Sequence, residues 1–213
     1  MKSRFGFLIF DVFEDMDFSG PWEMIALWSQ YYNGPQEFFT VSQGDGFVTS
    51  INNLVIQAHY RFEQCPKFDY LLVPGGQGTR VEVSNTILTN FIRSQAAHCQ
   101  HVLSVCTGTF LLYAAGLLNG KKATTHWAML DTLRSHAEVQ VVEQRFVRDE
   151  NIWTAAGISA GIDMALAFIA AISGNEIAGK VQLMAEYYPF NKIYTPGSDK
   201  LPSYVLAGSE TLS

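Results

Sequence analysis

Cys106 follows Val102-Leu-Ser-Val105, an apolar run of strand length, and precedes the small-residue, apolar stretch Thr109 to Leu118. A residue in such a strand-to-helix turn holds its side chain above the sheet. The unpaired N–H groups and partial positive charge of the helix start favour thiolate over thiol there. A thiolate is a nucleophile. The same position also suits a buried structural thiol, because free cysteine is often a core residue. Cys65 and Cys99 have no comparable setting, and no role is expected of them.

Asp17 lies in Asp15-Met-Asp-Phe-Ser-Gly-Pro21, just ahead of an expected helix. It reads as an acidic residue interacting with the helix dipole, or as a carboxyl that faces Cys106 and acts as acid or base. Glu23, one turn into that helix, is open to the same two readings. The N–H of Gly75 or Gly76, with that of Thr107, could donate to a developing anion. His126, in Ala123-Thr-Thr-His-Trp127, invites a Cys–His pairing or serves as a core or capping histidine. Gly75, Gly76, His126 and Trp127 are the residues expected to bind substrate or an oxyanion. The five histidines lack metal-ligand spacing and no Cys-x-x-Cys pair occurs, so no metal and no cofactor are expected. Gly157-Ile-Ser-Ala-Gly161 lacks the lysine of a phosphate loop and reads as a glycine-rich helix start packed near the sheet. Trp22, Trp28, Trp127 and Trp153 suit an apolar pocket, and at these spacings they suit a core as well.

The elements that must position these residues alternate. Phe5 to Phe10, Phe38 to Val41, Tyr70 to Val73, Val102 to Val105, Val139 to Val142, Phe146 to Arg148 and Ile152 to Ala155 read as strands, the apolar runs among them as strands buried on both faces. Helices are expected from Gly20-Pro21, with Pro21 at the first helical position, through Trp28. More follow over Asn85–Ala97, Thr109–Leu118, Ala128–Ser135, Ile162–Ile172 and Ile177–Tyr187. Gly44-Asp45-Gly46 and Asn52-Asn53 mark turns of a hairpin-like insertion. Tyr188 to Ser213 is richer in Pro, Gly and Ser and reads as an extended tail. The fold class is therefore α/β, a mostly parallel sheet sandwiched between helices. In such sheets ligands bind at the carboxyl ends of the strands, where the loops carrying Asp17, Gly75-Gly76 and Cys106 arrive together.

The totals agree with one domain. The 213 residues are 48% hydrophobic and 16% charged, enough apolar surface to bury a core. A net charge of −6 argues against nucleic acid, whose phosphates need a basic surface. No apolar run approaches the roughly 18 residues of a membrane span. The short Phe5–Phe10 run is followed at once by Asp11, Glu14 and Asp15, so no signal peptide is read and the cytoplasm is the expected location.

Several tracts together resemble the ThiJ/PfpI superfamily, the class I glutamine-amidotransferase-like group. They are Val73-Pro-Gly-Gly76, Ser104-Val-Cys-Thr-Gly108, Ala114-Ala-Gly-Leu-Leu118, Ala123-Thr-Thr-His-Trp127 and Gly161-Ile-Asp-Met-Ala165. Within it, Met16-Asp-Phe-Ser-Gly-Pro21, Cys106-Thr-Gly108, Arg145-Phe-Val-Arg-Asp149 and Val181-Gln-Leu-Met-Ala-Glu-Tyr187 are most similar to isocyanide hydratases. The resemblance implies a flavodoxin-like domain over residues 1–190 with a nucleophile-elbow cysteine. It also implies a tail, 191–213, packed on the domain or dimer, and a homodimer acting on a small molecule. In those enzymes the residues matching Cys106, Asp17 and Thr107 carry the activity, a cofactor-free hydration of isocyanides to N-substituted formamides. Tyr188-Pro-Phe-Asn-Lys192 departs from the proline-richer stretch of that group, which bears on the pocket or dimer edge.

The resemblance leaves other activities in view. Glyoxalase- or deglycase-like relatives generally place a glutamate where Asp17 stands, and peptidases of the group place a histidine directly after the cysteine, where this chain has Thr107. An amidotransferase triad needs a late His-x-Glu, and none follows His136. AraC-like sensing domains share many of these tracts but carry a DNA-binding domain after them, for which a chain ending at Ser213 leaves no room. A free-standing ligand or redox sensor, its Cys106 oxidised to sulfinate, is the non-enzymatic reading.

Overall fold

The apolar run that opens the chain becomes the middle of a seven-stranded sheet. The structure is a computed structural model that describes residues 3–44, 46–189 and 202–206. The sheet strands are β1 (Arg4–Leu8), β2 (Glu37–Ser42), β3 (Tyr60–Arg61), β4 (Tyr70–Val73), β5 (His101–Val105), β6 (Phe146–Asp149) and β7 (Ile152–Ala155). Their spatial order is β6-β7-β5-β4-β1-β2-β3. Every neighbouring pair is parallel except β6 with β7, which is antiparallel.

Side chains alternate across the sheet and are covered on both faces. On β1, Phe5 and Phe7 meet rings of one helical layer, Phe168 and Trp22, while a Cβ on the intervening Gly6 would run into Phe68 from the other side. The main helices are α1 (Asp15–Tyr31), α2 (Thr86–Ala96), α3 (Gly108–Ala114), α4 (Ala160–Ser173) and α5 (Asn175–Met184). Helices α1, α4 and α5 pack together, and α2 packs with α3. One continuous core runs from Phe5 to Val181. This is the expected α/β class, and its flavodoxin-like form is the one the sequence implies.

Several boundaries differ from expectation, among them the helix expected at Ile177–Tyr187, which is Asn175–Met184, and the strand expected at Val139–Val142, which is Gln140–Val141 and pairs with Lys122–Ala123 outside the main sheet. Helix α1 starts at Asp15, so Pro21 sits inside the helix rather than at its first position. Proline has no N–H for the Asp17 carbonyl one turn back. The proline ring packs against Gly161, where a Cβ would lie 2.9 Å from it. Helix α3 ends at Ala114 rather than Leu118, because Gly116 takes a positive φ of 77°. Of the expected extended tail, Ser203–Leu206 forms a helical turn, with Ser203 donating from N–H and hydroxyl to Glu143 Oε1 at 3.1 Å each. Residues 190–201 and 207–213, including most of the tract that departs from the family pattern, lie outside the described residues.

The hairpin expected from the turn signals is present. Phe47–Thr49 pairs antiparallel with Val55–Gln57, and Asn53 turns the chain at a φ of 66°. Among the described residues no helix is long and apolar enough to cross a membrane.

The topology fixes where a ligand can bind. From β1 the chain first adds β2 on one side, then returns to place β4 on the other. The crevice at the carboxyl ends of β1 and β4 is the switch point of the sheet. The loop from Ile9 to Glu14, the loop Pro74 to Gly78 and the turn after β5 converge there.

Candidate functional site

The turn after β5 is held in a conformation its sequence does not favour. Cys106 has a φ of 56°, the left-handed region that costs a non-glycine residue of order 1–3 kcal/mol. Its N–H reaches the carbonyls of both Ala155 and Ala156 at 3.0 Å, and the Thr125 hydroxyl donates to its carbonyl at 2.8 Å. Two glycines make room. A Cβ on Gly108 would collide with the Val73 and Pro74 carbonyls. One on Gly157 would lie 2.9 Å from Cys106 Sγ and 2.6 Å from the His126 ring. Gly157 and Gly161 thus act as expected, letting the start of α4 close on the sheet.

Asp17 lies in the first turn of α1 and is fully buried, so both sequence readings meet in one residue. Its Oδ2 accepts from Gly75 N–H at 3.0 Å, while Oδ1 has no hydrogen-bond partner among the described residues. The Cys106 thiol neighbours this carboxyl, and each shifts the other's titration. Burial pushes Asp17 well above the usual carboxylate range. The nearby Glu14 charge adds to the rise, and the Gly75 N–H and the thiol oppose it only in part.

The thiol itself corrects an expectation. A helix start was to favour thiolate, yet Cys106 is raised, first by burial and then by the charge of Asp17. The Thr107 N–H and hydroxyl pull the other way and do not offset this. Helix α3 is only seven residues long, and the sulfur lies largely out of water.

The expected oxyanion donors are also corrected. Gly75 N–H is committed to Asp17, and Gly76 N–H to Thr107 Oγ1 at 3.0 Å. These glycines shape the site instead of leaving amides free. Thr107 Oγ1 accepts from the Thr79 hydroxyl at 3.1 Å, and its own hydroxyl lies 3.2 Å from the Gly76 carbonyl. Thr107 therefore ties the turn after β5 to the loop after β4.

Above Cys106 and Thr107 opens a cavity of about 410 Å³ with mostly apolar walls, among them Phe110, Met129 and Ile158. His126 lines it, and its Nδ1 accepts from Ala128 N–H at 3.3 Å, so capping and site lining coexist. That bond leaves the ring proton on Nε2, and burial lowers the ring's pKa, keeping it neutral. Trp127 does not line this cavity. Trp127 is 45% exposed and borders an open depression with Met16 and Ser159 that adjoins the cavity, Glu14, His126 and Ile158 lining both. Trp22, Trp28 and Trp153 pack in or against the core, so the pocket reading fails for them. Glu23 is exposed and away from the cavity. Among the described residues no three His, Cys, Asp or Glu side chains converge as metal ligands.

Two charged lining residues escaped the sequence reading, Glu14 and Arg80. Glu14 caps α1, donates its N–H to the Gly75 carbonyl at 2.9 Å, and has its carboxyl raised by burial and then by Asp15. Nothing in the acidic run Asp11 to Asp17 separates Glu14 from its neighbours. Arg80 lies in a short helical turn that propensity alone does not mark.

Residues 3–171 match the model of the DJ-1/PfpI family. The chain is 39% identical over 206 residues to the isonitrile hydratase of Pseudomonas putida, covering 97% of this chain and 88% of that one. A crystal structure of a ThiJ/PfpI family protein from Pseudomonas syringae superposes with a TM-score of 0.84 at 31% identity, over 97% of this chain and 84% of that one. The HTH-type transcriptional regulator GbdR of Pseudomonas aeruginosa is 28% identical over 185 residues, 85% of this chain and half of the regulator.

Proposed function

The chain belongs to the DJ-1/PfpI family, and from that premise we propose that it hydrates isocyanides to N-substituted formamides, with Cys106 as nucleophile. The observation that carries this reading is a strained, cavity-lining thiol that neighbours Asp17, a fully buried carboxyl whose Oδ1 has no hydrogen-bond partner among the described residues. The 39% identity to an isonitrile hydratase supports the same choice of substrate class.

The chemistry follows from where the proton can go. An isocyanide, R–N≡C, offers a terminal carbon that must gain one nucleophile and one proton. Sulfur bonds to that carbon while the protonated Asp17 gives its proton to the same carbon and takes the thiol proton in exchange, giving the thioimidate R–N=CH–S–Cys106. A carboxyl raised well above the usual range keeps a proton to give, and the proton it takes from sulfur restores it. Both partners resist ionising in the buried site, so attack and proton transfer proceed together and no isolated thiolate is needed. Water then adds to the carbon and nitrogen takes a proton. The C–S bond breaks as the carbonyl forms, and sulfur recovers its proton. The products are R–NH–CHO and the free thiol. Thr107, fixed to the Gly76 carbonyl and Thr79, holds the turn in register and gives its N–H to the sulfur. The apolar walls receive the R group.

The test is formamide formation from para-nitrophenyl isocyanide, with Cys106→Ala and Asp17→Asn beside the parent. Turnover in the parent that disappears in Cys106→Ala supports the reading. A parent that forms no formamide, its Cys106 still open to alkylation, rejects it in favour of aldehyde-handling chemistry or ligand and redox sensing.

A further inference from the structure

The reaction concerns one end of the substrate, and the cavity has another. Its lining carries one cationic side chain, Arg80, and one carboxylate, Glu14, and they form no ion pair with each other. Arg80 sits in the turn Thr79–Glu82, which is anchored to the reacting centre. The Thr79 hydroxyl bonds the Gly76 carbonyl at 2.7 Å and Thr107 Oγ1 at 3.1 Å, so the Arg80 backbone keeps a set position relative to Cys106.

Arg80 is also unlike the other arginines. Arg4 pairs with Glu37, Arg134 with Asp131 and Glu143, and Arg145 with Asp163. Arg93 bonds Asn90 and the Ala115 carbonyl, Arg148 bonds the Glu150 carbonyl, and Arg61 is engaged too. Among the described residues Arg80 is the one arginine with no hydrogen-bond or ion-pair partner, and this exposed residue lines the cavity. The nearby Glu82 carboxylate is occupied by Asn85 at 2.7 Å.

We propose that Arg80 is an anion subsite, and that the isocyanide taken by this cavity carries a carboxylate on its organic arm. This rests on the hydratase reading for the reacting end only. A guanidinium offers a planar fork that matches a carboxylate. Glu14 completes the selection by repelling an anion from its own part of the wall, so the arm lies toward Arg80. In a chain of net charge −6, an unpaired arginine along the cavity is a local point of attraction for an anion.

The experiment compares 3-isocyanopropanoate with its methyl ester in the parent, Arg80→Met and Arg80→Lys. The parent is expected to favour the carboxylate by about five- to tenfold in kcat/KM, the scale of one partly exposed ion pair. Arg80→Met removes that preference by lowering the carboxylate's value, and Arg80→Lys restores part of it. No preference in the parent, or a preference that survives in Arg80→Met, overturns the subsite. A second readout needs no turnover, namely calorimetric binding of 3-formamidopropanoate against 3-formamidopropanamide. If neither isocyanide is hydrated, the hydratase reading falls. Tighter binding of the carboxylate that is lost in Arg80→Met still upholds the subsite, and equal binding of the two ligands refutes it.

Discussion

Cys99 and Cys106 are buried alike, at 8% and 7% exposure, and burial lifts both thiols, Cys99 to about 12. Burial therefore does not separate the two corners of the molecule. Backbone and neighbours do. Cys99 donates to the Phe68 carbonyl at 3.4 Å, in a corner closed by Gln95, Phe68 and Cys65. Cys106 is held at a positive φ, opens onto a cavity and is coupled to a carboxyl that can hold its proton. A buried thiol with a carbonyl beside it has nowhere useful to send a proton. One with a raised carboxyl beside it does.

The widest separation between the two corners is expected on removing the sulfur. Cys106→Ala should lower formamide formation by about 10³-fold or more, as expected when the nucleophile of a covalent mechanism is lost. A residual rate within tenfold of the parent, measured by product formation, would break the comparison.

Asp17→Asn comes next, with a loss of about 10²-fold or more in turnover for a general acid–base group. It also has a stability signature. Asp17 is raised in the folded protein, so the folded state keeps its proton at pH values where the unfolded chain has lost it. Its contribution is therefore fully present below the ordinary carboxylate pKa of about 3.9 and is lost as pH rises from there through the raised value. Asn does not titrate. The melting temperature of Asp17→Asn, relative to the parent, should climb by a few degrees between pH 4 and pH 8. A constant difference across that range would mean that Asp17 is not raised.

In the reactive corner the sequence made the placement of the loops legible and left the partners of their polar groups blank. Apolar strand runs ending in Pro74-Gly-Gly76 and Cys106-Thr-Gly108 place their loops at the carboxyl edge of a parallel sheet, which brings Asp17, Thr107 and Cys106 together. Contacts that depend on which groups already have partners were not legible. Free amides at Gly75 and Gly76 were reasonable from the turn, but Asp17 and Thr107 consume them. His126 and Trp127 are chain neighbours that both border an adjoining depression, but only His126 also lines the cavity. Glu14 and Arg80 went unseen because lining a cavity leaves no periodicity in a loop or a four-residue turn.

A subtler test leaves every reactive group in place and disturbs only their spacing. In Gly157→Ala the new methyl would lie 2.9 Å from Cys106 Sγ, tighter than van der Waals contact allows, and 2.6 Å from the His126 ring. Sulfur and imidazole must both move. A displacement near 1 Å at a reacting atom costs up to about 10²-fold, so a loss of about 10-fold in kcat is expected, with overpacking of about 1–3 kcal/mol. The equivalent added methyl at Gly179, on the far helix α5 with nothing within 4 Å, should leave activity unchanged. Equal activity in the two variants would show that the thiol corner tolerates displacement.

The smallest functional effect is expected in the other corner. Cys99→Ala removes a buried sulfur from a well-packed site and leaves the Phe68 carbonyl without its thiol donor. The lost burial and the small void should cost about 1–2 kcal/mol, read from denaturant midpoints. Formamide formation should stay within twofold, because no element of the Cys99 corner reaches the cavity wall. Alkylation separates the thiols in the same way. A neutral maleimide small enough for the cavity should modify Cys106 before Cys99, because the cavity is lined by Cys106 and not by Cys99. Modification of Cys99 at the rate of Cys106 under native conditions would mean that access, strain and a proton-holding neighbour do not distinguish the two thiols.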